Sequence, residues 1–131
     1  MSQSNNQRRP SREADNGYAL ESIITEKILN HPNLSPTSRC VDKQEQDQSA
    51  ILRIEENLRQ KFQKAGLKIS EFISNKYLLS SENYEVDRTD DADTSVEDII
   101  IENESRRFGF SIKHNNDSLK HNRPYSLVQS F

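Results

Sequence analysis

The chain predicts an α/β domain in which N-terminal helices pack on a β-hairpin. Three observations predict it. Apolar residues recur at spacings of three and four through the first half, which is one face of a helix. Beyond residue 97 two short β-rich runs flank a polar turn. Pro32, Pro36 and Gly66 fall between the apolar segments, where a chain turns or a helix stops.

Taken in order, residues 1–15 form a polar, Pro-interrupted tail that is expected to be disordered. Asn16 opens a helix to about Leu29, with Leu20, Ile23, Ile24 and Ile28 on one face, and His31-Pro32 stops it. Asn33 to Ser38 reads as a loop. From Asp42 to Ala65 the composition favours helix, with Ile51, Ile54, Leu58 and Phe62 as the stripe and Gly66 as the C-terminal stop. A third helix covers Ile69 to Leu79, with Phe72, Ile73 and Leu79 inward. Ser80 to Thr94 is acidic and turn-rich, with room for a short strand near Tyr84 to Val86. Asp98 to Glu102 and Phe108 to Lys113 form the hairpin, and the chain continues as helix or loop to Phe131.

Composition bounds the function. A chain of 131 residues holds one domain at most. Only 31% of residues are hydrophobic and 30% are charged, so little apolar surface is buried and stability is expected to be marginal. Clustering of the apolar residues argues for a folded, incomplete domain over disorder. The net charge of −3 is unlike a typical nucleic-acid-binding module, yet its distribution is uneven. Asp87 to Glu104 is acid-rich, whereas Arg106 to Arg123 carries five Lys or Arg against the single acid Asp117. The one cysteine, Cys40, excludes an internal disulfide framework and fits a reducing cytoplasm. No apolar run reaches transmembrane length, and the polar start lacks a signal-peptide core, so no membrane partner is expected. Asp87, Asp90, Asp91 and Asp93 lack the glycine and terminal glutamate of a calcium loop.

If Glu104 to Arg107 make the turn of the hairpin, Ile101 faces Phe110 and Ile99 faces Ile112 on the apolar side. On the other side Asp98 then meets Lys113, Ile100 meets Ser111 and Glu102 meets Gly109. A carboxylate beside a lysine at strand ends suits phosphodiester hydrolysis: the acid holds a hard divalent cation, which activates water, and the lysine offsets charge on phosphorus. A cross-strand ion pair on a solvated sheet accounts for the same two residues.

Three strings separate these readings. FSIKHNNDSLKHNRPYSL resembles HaeIII-type type II restriction endonucleases, in which a strand lysine leads into a His/Asn-rich segment. DADTSVEDIII resembles that family's approach to its metal-binding aspartate, and NGYALESI resembles the Gly-x-Ala-x-Glu start of the first helix in many restriction enzymes. The three stand in the right order across residues 16 to 126. The resemblance implies the PD-(D/E)XK superfamily: a restriction-endonuclease-like core, here incomplete, with N-terminal helices packing on a β-hairpin of a mixed sheet. It implies Asp98 and Glu21 as metal-binding acids, Lys113 as the catalytic lysine, magnesium as cofactor and duplex DNA as substrate. The cut would fall at a short palindrome such as GGCC, with a cognate DNA methyltransferase as functional partner. Ser111 stands where the superfamily has a second acid, so the Ile112 carbonyl, waters or Glu102 would complete the ligand set. The likeness ends while the fold is still being described, which implies an N-terminal part of such a domain that is inactive alone.

His114, Asn115, Lys120, His121 and Arg123 are the candidate DNA contacts, arginine for guanine and lysine for phosphate. Turn-forming asparagines and a solvated charged stretch are the plain alternative. His31 reads as a helix cap or surface residue. Two other classes of function remain open: a non-catalytic DNA-binding remnant, and a helical interaction protein indifferent to Asp98 and Lys113.

Overall fold

Three helices cover one face of a five-stranded mixed sheet. The computed structural model describes residues 12–89, 97–114 and 125–130. The elements are α1 (Arg12–Leu29), β1 (Leu34–Pro36), α2 (Ser38–Arg53), α3 (Glu56–Tyr77), β2 (Tyr84–Arg88), β3 (Ile99–Glu102), β4 (Arg107–His114) and β5 (Tyr125–Ser130). The strands lie in the order β1-β2-β3-β4-β5. β1 runs parallel to β2, and the remaining pairs are antiparallel.

The predicted stripe of α1 is the centre of the core: Leu20, Ile23, Ile24 and Ile28 are each at most 2% exposed. Burying each contributes roughly 1.5–3 kcal/mol. Across from them lie Tyr84, Val86, Ile99, Ile101, Phe110 and Ile112 on the inner face of the sheet. No helix among the described residues is long and apolar enough to cross a membrane.

Several boundaries differ from expectation, each for a local reason. α1 begins at Arg12 instead of Asn16, cutting into the expected tail. Its first turn is tied down because the buried Asp15 carboxylate accepts from Arg53 Nε (2.9 Å) and Nη2 (2.8 Å). α2 begins at Ser38, capped by Thr37, whose Oγ1 accepts the Cys40 N–H at 3.1 Å. The helix predicted to reach Ala65 breaks at Ile54 and Glu55, which are extended. There Arg59 donates to the carbonyls of Ile51, Leu52 and Ile54, partnering groups that a helix end otherwise leaves bare.

α3 then runs straight through Gly66. The glycine is no stop: a Cβ there would stand 3.1 Å from Ile23 Cγ2, so it lets α3 lie close against α1. The uninterrupted helix also sets the phase. Phe62, Ala65, Ile69 and Ile73 face inward, while Phe72 is 48% and Leu79 79% exposed, contrary to expectation. The loop expected over Asn33 to Ser38 contains β1, and the tail expected as helix or loop contains β5.

The hairpin is tighter than predicted. Asn103 N–H donates to the Arg106 carbonyl (3.0 Å), and Asn103 Oδ1 accepts from Ser105 N (2.8 Å) and Arg106 N (2.9 Å). Asn103 and Arg106 thus face each other across a turn whose two central residues are Glu104 and Ser105. Ile99 therefore faces Phe110 and Ile101 faces Phe108, a register moved by two residues. An even shift leaves inward residues inward, so the core was foreseen although every pairing was not.

Candidate active site

The register shift moves Asp98 away from Lys113. Asp98 sits where β3 begins, and its backbone is held on both sides: its N–H donates to the Phe110 carbonyl (2.8 Å), and its carbonyl accepts from Thr89 N (3.2 Å). Its Oδ2 accepts the Ile112 N–H at 2.7 Å, continuing the β4 ladder with a side chain where the β3 backbone has ended. Lys113 pairs with Ser126 of β5 and is exposed. It alternates with the core residue Ile112, so it lies on the sheet face away from the helices. The expected Asp98–Lys113 pair is not formed.

Glu21, the other acid named from the sequence, lies on the helical side of the sheet. α1 carries it over the sheet, and its Oε1 accepts from Arg88 Nη2 at 3.1 Å. Burial, and next the neighbouring Asp98 charge, push the Glu21 carboxyl up to about 7, against the opposing effect of Arg88 and, more weakly, Lys43. Two carboxylates from distant parts of the chain thus act on each other.

Arg88, at the end of β2, organises these groups and is fully buried. Its Nη1 donates to Gln44 Oε1 (2.8 Å), and its Nη2 stands 2.7 Å from Asp47 Oδ2 as an ion pair without hydrogen-bond alignment. Gln44 in turn donates to the Ser22 carbonyl at 3.0 Å, tying α2 to α1. Lys43 of α2 is 8% exposed, with its ammonium 5.1 Å from the Tyr18 ring centroid. None of Arg88, Lys43, Gln44 or Asp47 was singled out from sequence. One signal was available for Arg88: it follows Tyr84 and Val86 in the inward phase of the strand, in which Glu85 and Asp87 alternate with them.

On the outer face, Glu97 is buried and gripped by Arg107, with Oε1 at 2.6 Å from Nη2 and Oε2 at 2.9 Å from Nη1. Its carboxylate lies across Gly109, where a Cβ would occupy the same space, which is why β4 carries glycine there. The clasp fixes the residue preceding Asp98.

Of the other sequence candidates, Glu102 is exposed at the far end of β3, beside Arg107 Nε at 3.7 Å, and is not brought to Asp98. Ser111 is buried next to the Asp98-bound Ile112. His114 ends β4 opposite Tyr125. Asn115, Lys120, His121 and Arg123 lie outside the described residues, as do Asp90, Asp91 and Asp93. His31 Nδ1 accepts from Asn33 N (3.3 Å), shaping the turn after α1.

Among the described residues, no group of three or more His, Cys, Asp or Glu side chains could hold a metal ion. Glu21 and Asp98 nonetheless fit a cation such as magnesium, which keeps several waters and takes one or two carboxylates. Burial contributes most to the raised Glu21 carboxyl, and the smaller contribution from the Asp98 charge is the part that a divalent ion beside both acids would relieve. No protein-family model matches the chain, and neither a curated protein nor a solved structure matches it.

Proposed function

We propose that this chain belongs to a magnesium-dependent hydrolase of phosphodiester bonds in duplex DNA, built on a restriction-endonuclease-like core. The observation that supports the reading is a buried Glu21 carboxyl raised to about 7, first by burial and then by the charge of Asp98. The resemblance named above supplies the substrate, a short palindrome such as GGCC, and the functional partner, a cognate DNA methyltransferase. The basic segment holding Asn115, Lys120, His121 and Arg123 follows β4 in the chain and, with His114, is the proposed DNA-contact region.

Glu21 and Asp98 would hold the magnesium ion, which when bound polarises a phosphoryl oxygen and acidifies its water. Asp98 is kept in place by the Ile112 N–H and by its own strand bonds. With no cation bound, burial and the Asp98 charge hold the Glu21 carboxyl at about 7, and a divalent cation between the two acids would favour its ionised form. Arg88 fixes the Glu21 carboxylate through Nη2 at 3.1 Å from Oε1.

A second reading has its own observation. Arg88 is fully buried, and Glu21 and Asp47 also serve simply to neutralise it, making the cluster a buried brace between α1, α2 and β2. One experiment separates the two. Plasmid DNA rich in GGCC is incubated with the full chain, with magnesium or with EDTA. Discrete fragments that require magnesium, lost by ~10²-fold or more in Asp98→Asn, are expected from the nuclease. An Asp98→Asn chain as active as the parent, or a parent that neither cuts nor retains a GGCC duplex, leaves the brace; retention without cutting marks the inactive N-terminal part that the resemblance implies.

A further inference from the structure

We propose that the outward face of α3 contacts the phosphate backbone of duplex DNA through Lys61, Lys64 and Lys68, apart from Glu21 and Asp98. The partner comes from the nuclease reading, on which the proposal rests to that extent. α3 turns Phe62, Ala65, Ile69 and Ile73 into the core. Spacings of three and four gather Lys61, Lys64 and Lys68 on one outward face, and all three are exposed. Asn57 and Asn75, also exposed, extend the row at its two ends with neutral donors.

The fold does not use these charges. Arg39, Arg53, Arg59, Arg88 and Arg107 are each held by a carboxylate, whereas none of the three lysines forms an ion pair with a described one. Like charges three and four residues apart on a helix repel, so the row destabilises α3 slightly, and an anionic partner would relieve it. In a chain of net charge −3 the row is a local reversal of sign, which draws a polyanion to this face. From Lys61 to Lys68 the helix advances about 10.5 Å, and one strand of a duplex presents about three phosphates over that length. Lysine suits such contacts as a point charge, whereas arginine suits planar, bidentate recognition. An anionic membrane fits less well. A helix at a lipid surface inserts its apolar face, and the apolar face of α3 is packed against α1. The exposed Phe72 carries the Lys76 ammonium 5.4 Å from its ring centroid.

The test uses the full chain in EDTA, so that binding is read without cutting. A short fluorescent duplex is titrated by anisotropy at several KCl concentrations. With Lys61→Gln, Lys64→Gln and Lys68→Gln combined, binding at low salt should weaken ~10-fold or more. The slope of log K against log [KCl] should become shallower by about 2.7, three phosphates at about 0.9 each. Parent-like affinity and slope overturn the proposal. A second readout needs no variant: lysines of the parent are acetylated with an N-hydroxysuccinimide ester and mapped by peptide mass spectrometry. Duplex should suppress acetylation severalfold at Lys61, Lys64 and Lys68. Equal labelling with and without duplex, protection confined to Lys113, or protection by phosphatidylserine vesicles but not by duplex overturns it. Protection by duplex sustains the contact whatever the cutting assay shows. Magnesium-dependent cutting with these lysines unprotected does the reverse: the nuclease stands and the contact falls.

Discussion

Glu21→Gln should change how stability depends on pH, and the size of the change can be worked from the site. In the unfolded chain a glutamate ionises near 4.5, whereas in the fold Glu21 does so at about 7 because it is buried beside Asp98. Between those values the folded chain holds a proton that the unfolded chain has released. The free energy of unfolding therefore falls as pH rises through this window: the cost is absent below about pH 4 and complete above about pH 8. A displacement from 4.5 to about 7 corresponds to ~3 kcal/mol. Glutamine carries no charge at any pH and keeps a carbonyl oxygen for Arg88 Nη2. Relative to the parent, the variant should thus gain ~3 kcal/mol of stability between about pH 4 and about pH 8. Urea unfolding followed by circular dichroism, with EDTA present and both chains at each pH, reads this difference while groups common to both cancel. A difference that stays constant across the range would refute the reasoning, because Glu21 would then ionise alike in both states.

Two further substitutions probe the scaffold of the site. Gly109→Ala places a methyl group where the Glu97 carboxylate lies, so Glu97 must release Arg107; a loss of ~1–3 kcal/mol is expected as a lower Tm, and an unchanged Tm would contradict the clasp. Arg59→Ala strips the donors from the Ile51, Leu52 and Ile54 carbonyls and should cost ~1–2 kcal/mol in urea unfolding, whereas the exposed Lys64→Ala should cost under ~0.5 kcal/mol; equal effects would show that the α2 end needs no cap.

What was legible in the sequence was whatever depends on local periodicity. The α1 stripe, the inward residues Ile51, Ile54 and Phe62, and the inward face of Ile99 and Ile101 were all readable from spacing. Spacing did not reveal where helices break, because no proline or glycine marks Ile54. The break there is stabilised by Arg59, a residue of the following helix. Gly66 misled for the converse reason: its lack of a side chain serves the approach of α1, a partner far away in the chain.

Taken by itself, the sequence determined the mixed α/β class and the core faces, since these follow from periodicity, whereas Glu21 and Asp98 were named as site acids from the resemblance of local strings. Only the tertiary structure decided which charges share a site. The two-residue turn at Glu104 and Ser105 set the register, and the register took Lys113 away from Asp98. The packing of α1 and α2 on β2 gathered Glu21, Lys43, Asp47 and Arg88, four residues with no common motif. Charges act through space and are strengthened by burial, and neither distance nor burial is written into the order of residues along a chain.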